Sequence, residues 1–192
     1  GLLRFQHPQS PRDLLLGATE LTDLYLQVRV NGDVAFLKAA LALLLRRERA
    51  APGSVFDHAF IEEFTDGYEA LVEDLERQDV DALVGESGLT LAEVEAFCDL
   101  VVERPKMIIC WAMGLTQHRN GVENIREVVN LLLLRGAIGK PGAGTCPVRG
   151  HSNVQGDRTV GIWERPPEAF LDRLGAEFSF EPPRRHGHSV VH

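Results

Sequence analysis

Hydrophobic and polar positions alternate with helical spacing over most of this chain, broken twice by short runs of a different kind. From Val34 to Arg49 the residues are mainly Ala and Leu, with Arg46, Arg47 and Arg49 gathered at the end. That composition and that placing of positive charge predict a helix over 34–49, which Ala51-Pro52-Gly53 stops. Just before it, Leu24–Val30 alternates and is rich in β-formers, predicting a short strand. Asn31-Gly32-Asp33 then makes a turn, with Asp33 placed to cap the helix. Residues 1–22, with Pro8, Pro11 and Gly17, predict an irregular opening segment.

The middle of the chain reads as several short amphipathic helices. Asp57–Phe64 and Gly67–Arg77 each carry apolar residues at helical spacing, and Thr90 with Glu93 forms a capping-box signature for a helix to Glu103. In this reading Asp57, Glu62 and Glu63 supply a helix start and a solvated face. Pro105 ends the helical stretch. Lys106–Ala112 is a continuous apolar run of strand length, and the lack of alternation predicts a strand buried on both faces of a parallel sheet. A second long helix is predicted over Val122–Arg135.

The texture then changes. Gly136–Gly161 also contains Gly139, Gly142, Gly144, Gly150 and Gly156, with Pro141 and Pro147. Such a stretch predicts neither helix nor regular strand but a long loop, and long loops within compact domains are usually functional. Pro166-Pro167 opens a short helix to Leu174, and the tail, with Pro182-Pro183, His186, His188 and His192, reads as loosely structured and solvated. The fold class is therefore α/β: a partial Rossmann-like layered domain with a parallel sheet, several flanking helices and a Gly-rich cofactor loop. Residues 1–148 form the α/β unit, and 149–192 a return segment towards a neighbouring domain.

A formal net charge of −8 argues against nucleic acid as a partner, because phosphates require a basic face. No run approaches the apolar length of a membrane span. Cys98, Cys110 and Cys146 are odd in number and far apart, which suits a reducing cytoplasm better than a disulfide framework. They also compose no complete iron–sulfur or zinc motif. The start, Gly1-Leu2-Leu3-Arg4, reads as a piece of a longer protein.

Strand, Gly-containing turn and helix are predicted in succession twice, an order that presents backbone N–H groups to phosphates. The first is Leu24–Val30 with Asn31-Gly32-Asp33, which fits an ordinary helix cap as well. The second is Lys106–Trp111 with Met113-Gly114-Leu115-Thr116-Gln117-His118, equally readable as a plain strand-to-helix connection. More specific is Gly139–Gly156. Its glycines allow close approach of a ligand, and Arg149 supplies a forked cation for a carboxylate or phosphate. His151, Ser152, Asn153 and Gln155 offer donors and acceptors for a heterocycle's edge.

Three stretches together, Trp111–His118, Asn130–Gly144 and Pro147-Val148-Arg149-Gly150-His151-Ser152-Asn153-Val154-Gln155-Gly156, closely resemble the molybdopterin oxidoreductases. Within that family they look most like the alpha-subunit-like branch of the formate dehydrogenases. The resemblance implies molybdopterin guanine dinucleotide carrying molybdenum or tungsten, with a small anionic substrate such as formate at the metal. It places Asn31, Gly32 and Asp33 beside a guanine, and Met113, Gly114 and Gln117 on the turn that touches the dinucleotide. Arg149 matches the arginine that faces the substrate, His151 is a candidate proton relay, and Asn153 and Gln155 match polar positions of the same motif. His151 stands where well-known formate dehydrogenases have glutamine, and Asp157-Arg158-Thr159 replaces their small residues.

The family's 4Fe-4S cysteines and its metal-ligating Cys or selenocysteine are expected elsewhere in the parent chain, and no metal ligand falls here. Cys146 is expected to be a small, partly buried loop residue. Other domains of the same polypeptide and an electron-acceptor subunit are the implied partners. The alternative is a non-enzymatic nucleotide-binding or partner-binding α/β module.

Overall fold

A computed structural model describes residues 3–12, 17–151 and 153–188; Ser152 and His192 lie outside them. The elements run β1 (Arg4–Phe5), β2 (Thr19–Glu20), α1 (Asp33–Ala50), α2 (His58–Phe64), α3 (Tyr68–Glu76), α4 (Val80–Ser87) and α5 (Leu91–Glu103). They continue with β3 (Ile108–Trp111), α6 (Met113–Thr116), α7 (Gly121–Leu134), β4 (Gly144–Pro147), α8 (Val154–Thr159) and α9 (Glu168–Phe178). The chain is mixed α/β but mostly helical, with a small parallel sheet of β3 and β4 and a two-residue antiparallel ribbon of β1 and β2. It divides into two compact units, Gly1–Val148 and Arg149–His192.

In the first unit α1 is the central element. Ala39, Ala40, Leu41, Leu44 and Leu45 are buried around it, so its apolar surface extends well beyond one stripe. A helix that is apolar on most sides must be surrounded, and α1 packs against α3, α4, α5 and α7. Polar groups fix the ends of this bundle. Lys38 on α1 reaches Asp74 on α3 at 2.6 Å and the buried Glu127 on α7 at 3.6 Å. Glu48 turns inward and accepts from the backbone N–H groups of Gly53, Val55 and Phe56, and its Oε1 lies 2.7 Å from His58 Nε2. Burial opposes its ionisation, but the hydrogen bonds from Gly53, Phe56, His58 and Val55 outweigh that and hold the carboxyl at about 2. The capping box forms as the spacing predicts, with Glu93 N–H donating to Thr90 Oγ1 and Thr90 N–H to Glu93 Oε2. Asp57 caps α2 by accepting from Phe60 N–H.

Several expectations are corrected. Leu24–Val30 is not a strand. It is half-buried at every second residue, with Leu26 and Val28 on the main core, but among the described residues no strand lies beside it. Its Arg29 N–H donates to Ser87 O at the end of α4 instead. Alternation reported one buried side and could not report pairing. Of the two strand–turn–helix units expected, only the one after Lys106 has its strand. Asp33 is not the helix cap: Gly32 holds that position and no side chain caps α1.

β3 is not buried on both faces; Ile108 and Cys110 are exposed while Ile109 and Trp111 are half-buried. In the described residues only one face of this two-stranded sheet is covered, so an apolar run without alternation has a wet side. The Gly-rich stretch is not simply loop. Gly144–Pro147 forms β4, paired parallel in the register Ile108↔Gly144 to Trp111↔Pro147, and Val154–Thr159 is helical. A ladder partner far away in sequence supplied the order that local composition argues against. The tail is also better tied than expected: Arg184 pairs with Glu168, Asp172 and Glu181, and Gly187 N–H donates to Glu164 O.

Candidate functional site

β3 delivers the chain into one helical turn, α6, which carries Met113 and Gly114 and is capped by Gln117. Gln117 N–H donates to Met113 O at 2.9 Å, and its side-chain Nε2 lies 3.4 Å from Met113 Sδ. Both side chains are exposed, and the space beside Gly114 is open. The turn is held from below. Trp111 and Leu115 pack on a small apolar cluster of Leu37, Val128, Leu132 and Ala137. Asn124, fully buried on α7, donates Nδ2–H to Leu115 O at 2.8 Å, and its Oδ1 has no hydrogen-bond partner. Gly121 lies so close that a side chain there would meet the Thr116 carbonyl.

Beside the turn, a shallow cleft of about 570 Å³ is lined by His118, Arg119, Val122 and Arg126, among others. His118 is tied back, with Nε2 2.6 Å from Gly114 O. Cations, open backbone and neutral amides here suit an anionic ligand with a polar heterocycle.

Asn31, Gly32 and Asp33 form the turn that starts α1. Asn31 adopts the left-handed conformation, φ +67°, and Gly32 N–H donates to Arg29 O at 2.8 Å. A Cβ on Gly32 would stand 3.0 Å from backbone atoms of Arg29 and Ser87, so here glycine serves chain packing. Leu37, one turn on from Asp33, shares the apolar cluster on which Leu115 packs. That shared cluster is the structural link between the first two predicted groups.

The remaining predicted residues lie in the second unit. Arg149 and His151 are exposed. Asn153 is left-handed, φ +54°, and its Oδ1 accepts from Gly156 N–H at 3.2 Å, which makes it the cap of α8. Gln155 is exposed on that helix, and its backbone O accepts from Thr159 Oγ1. Arg158 lies over the Trp163 ring, 5.4 Å from its centroid.

Sequence reasoning missed Gly121, Asn124 and the tie between Asp57 and Lys140, which reaches 2.6 Å and anchors the start of the Gly-rich stretch. That contact, followed by the Phe60 N–H, holds the Asp57 carboxyl below the usual range. Asn124 did leave a signal, a polar residue in the apolar row with Val128 and Leu131. Cys146 is not a partly buried loop residue; it sits exposed on β4, paired with Cys110. Cys98 is buried, and burial pushes its thiol up to about 12. Among the described residues, no three His, Cys, Asp or Glu stand together to hold a metal, and no helix is long and apolar enough to cross a membrane.

The fold has a counterpart of known structure. Acetylene hydratase from Pelobacter acetylenicus matches 63% of this chain and 16% of its own, with a TM-score of 0.55 at 20% identity. An uncharacterized oxidoreductase of Mycobacterium tuberculosis is 44% identical over 191 residues, all of this chain and 24% of the relative. Protein YdeP of Escherichia coli is 44% identical over 199 residues, 26% of its length. A Staphylococcus haemolyticus protein, provisionally named a formate dehydrogenase, is 32% identical over 139 residues, 72% of this chain and 14% of the relative. No family model matches. Over its whole length the chain is similar to a protein named as an oxidoreductase, and over 72% of it to one provisionally named a formate dehydrogenase. It spans about a quarter of the length of the first of these curated relatives.

Proposed function

We propose that this chain is part of the catalytic subunit of an oxidoreductase that depends on molybdopterin guanine dinucleotide, and that it helps hold the cofactor and position a small anionic substrate. The observation that carries this reading is the turn at Met113–Gln117. It combines an open glycine, exposed donors and a neighbouring cleft with two arginines, set at the end of β3. The donors fit the group's phosphates and heterocycle, and Rossmann-like sheets bind ligands at this edge. In this reading Asn31 and Asp33 meet the guanine, while Met113, Gly114 and Gln117 line the dinucleotide.

Arg149 then holds the substrate anion by a planar, two-pronged contact, a positioning and electrostatic role. His151 holds or passes a proton near it. Asn153 shapes the segment that follows them through its cap on Gly156. The bound molybdenum or tungsten pterin supplies two-electron redox chemistry. A 4Fe-4S cluster, the metal ligand and any acceptor subunit belong to other parts of a cytoplasmic parent enzyme.

Purifying the intact protein and measuring molybdenum, tungsten, pterin and guanine nucleotide tests this reading. Metal and pterin in stoichiometric amounts are expected. A bound nucleotide without pterin would point to a non-enzymatic nucleotide-binding module and overturn it.

A further inference from the structure

The pairing of β3 with β4 brings together two cysteines far apart in the sequence, Cys110 and Cys146. They are in register on parallel neighbours, and both are exposed. Residues in register on parallel strands project from the same face, and neighbouring strands run about 4.7–4.9 Å apart. A disulfide spans Cα separations of about 4.4–6.8 Å, so the backbone spacing suits one. The neighbouring Cys146 thiol is the main reason the Cys110 thiol sits above its ordinary range.

Cys98 has the opposite environment, buried with its thiol against Ala40 O. Neither cysteine of the pair has a role in the cofactor reading, and their chemistry is independent of it.

We propose that Cys110 and Cys146 form a thiol–disulfide modification site that small disulfides of the glutathione class oxidise reversibly. In the first step one of the two cysteines, as its thiolate, attacks one sulfur of the small disulfide, forming a mixed disulfide and releasing one small thiolate. In the second, the other cysteine loses its proton and attacks the protein sulfur of the mixed disulfide, closing the protein disulfide and releasing the second small thiol. Two protein thiols are oxidised by two electrons and one small disulfide is reduced to two thiols, so no other reactant is required. The bond ties together the strands that lead, in sequence, to Met113 and to Arg149.

The test uses the intact native protein. It is incubated with oxidised glutathione, alkylated, and mapped by mass spectrometry of its peptides. The expected result is joint loss of Cys110 and Cys146 from the alkylated pool, a cross-linked peptide joining them, and full return after dithiothreitol. In Cys110→Ser the reaction should stop at glutathione on Cys146. The proposal is overturned if both thiols stay fully alkylatable after oxidation, if each carries its own glutathione, or if Cys146 is joined to a cysteine other than Cys110.

Discussion

A Cβ placed on Gly121 would lie 2.5 Å from the carbonyl oxygen of Thr116, so glycine at the start of α7 lets the candidate cofactor turn fold down onto that helix. In a free helix Gly→Ala stabilises by about 0.8–1 kcal/mol. Here the sign should reverse. Gly121→Ala must push backbone against backbone and is expected to destabilise by roughly 1–3 kcal/mol, with a matching loss of pterin from the intact protein. Equal or higher stability with full cofactor content would show that the close approach does not matter.

Glu48 makes stability depend on acid. Its carboxyl is 4% exposed and ionises near pH 2 in the folded chain, against an ordinary value of 4.5. The folded value is the lower one, so the stabilisation is complete above about pH 4.5 and is lost as pH falls towards 2. The difference corresponds to on the order of 3 kcal/mol. Glu48→Gln should forfeit most of this, because an amide keeps its oxygen on only one side, facing either Gly53 or Val55 and Phe56, and turns its NH2 donors towards the N–H on the other. Denaturant titrations of both proteins at neutral pH and near pH 3 check it: the gap between them should narrow in acid.

Arg149 is tested by charge and by shape. Arg149→Lys keeps the cation but loses the forked contact, and turnover efficiency of the intact enzyme should fall roughly ten- to a hundredfold. Arg149→Ala should fall further, with metal and pterin content near wild type in both. If cofactor content drops together with activity, Arg149 binds a cofactor phosphate instead. Full activity in Arg149→Ala returns the residue to a structural role.

The chain on its own should not turn over substrate. No metal-ligand set exists among its described residues, and its three cysteines cannot complete a cluster. Dye-linked formate oxidation by the purified chain supplied with metal would refute this.

The sequence by itself determined what depends on near neighbours. Helix spacing, the Thr90–Glu93 capping box, the Asp57 cap and the break at Pro105 are local events, decided within a few residues by hydrogen-bond geometry and hydrophobic period. The long motif from Trp111 to Gly156 carried the family resemblance for the same reason, since it can be read without knowing what touches it. Tertiary structure decided what depends on partners far away in the chain. Leu24–Val30 has the alternation of a strand and no strand beside it, whereas Gly144–Pro147 has poor strand composition and a parallel neighbour far earlier in the chain. Lys140 on Asp57 and Cys110 beside Cys146 arise the same way. Each is fixed only once the core around α1 brings distant segments within hydrogen-bond or van der Waals reach, and no local pattern encodes that distance.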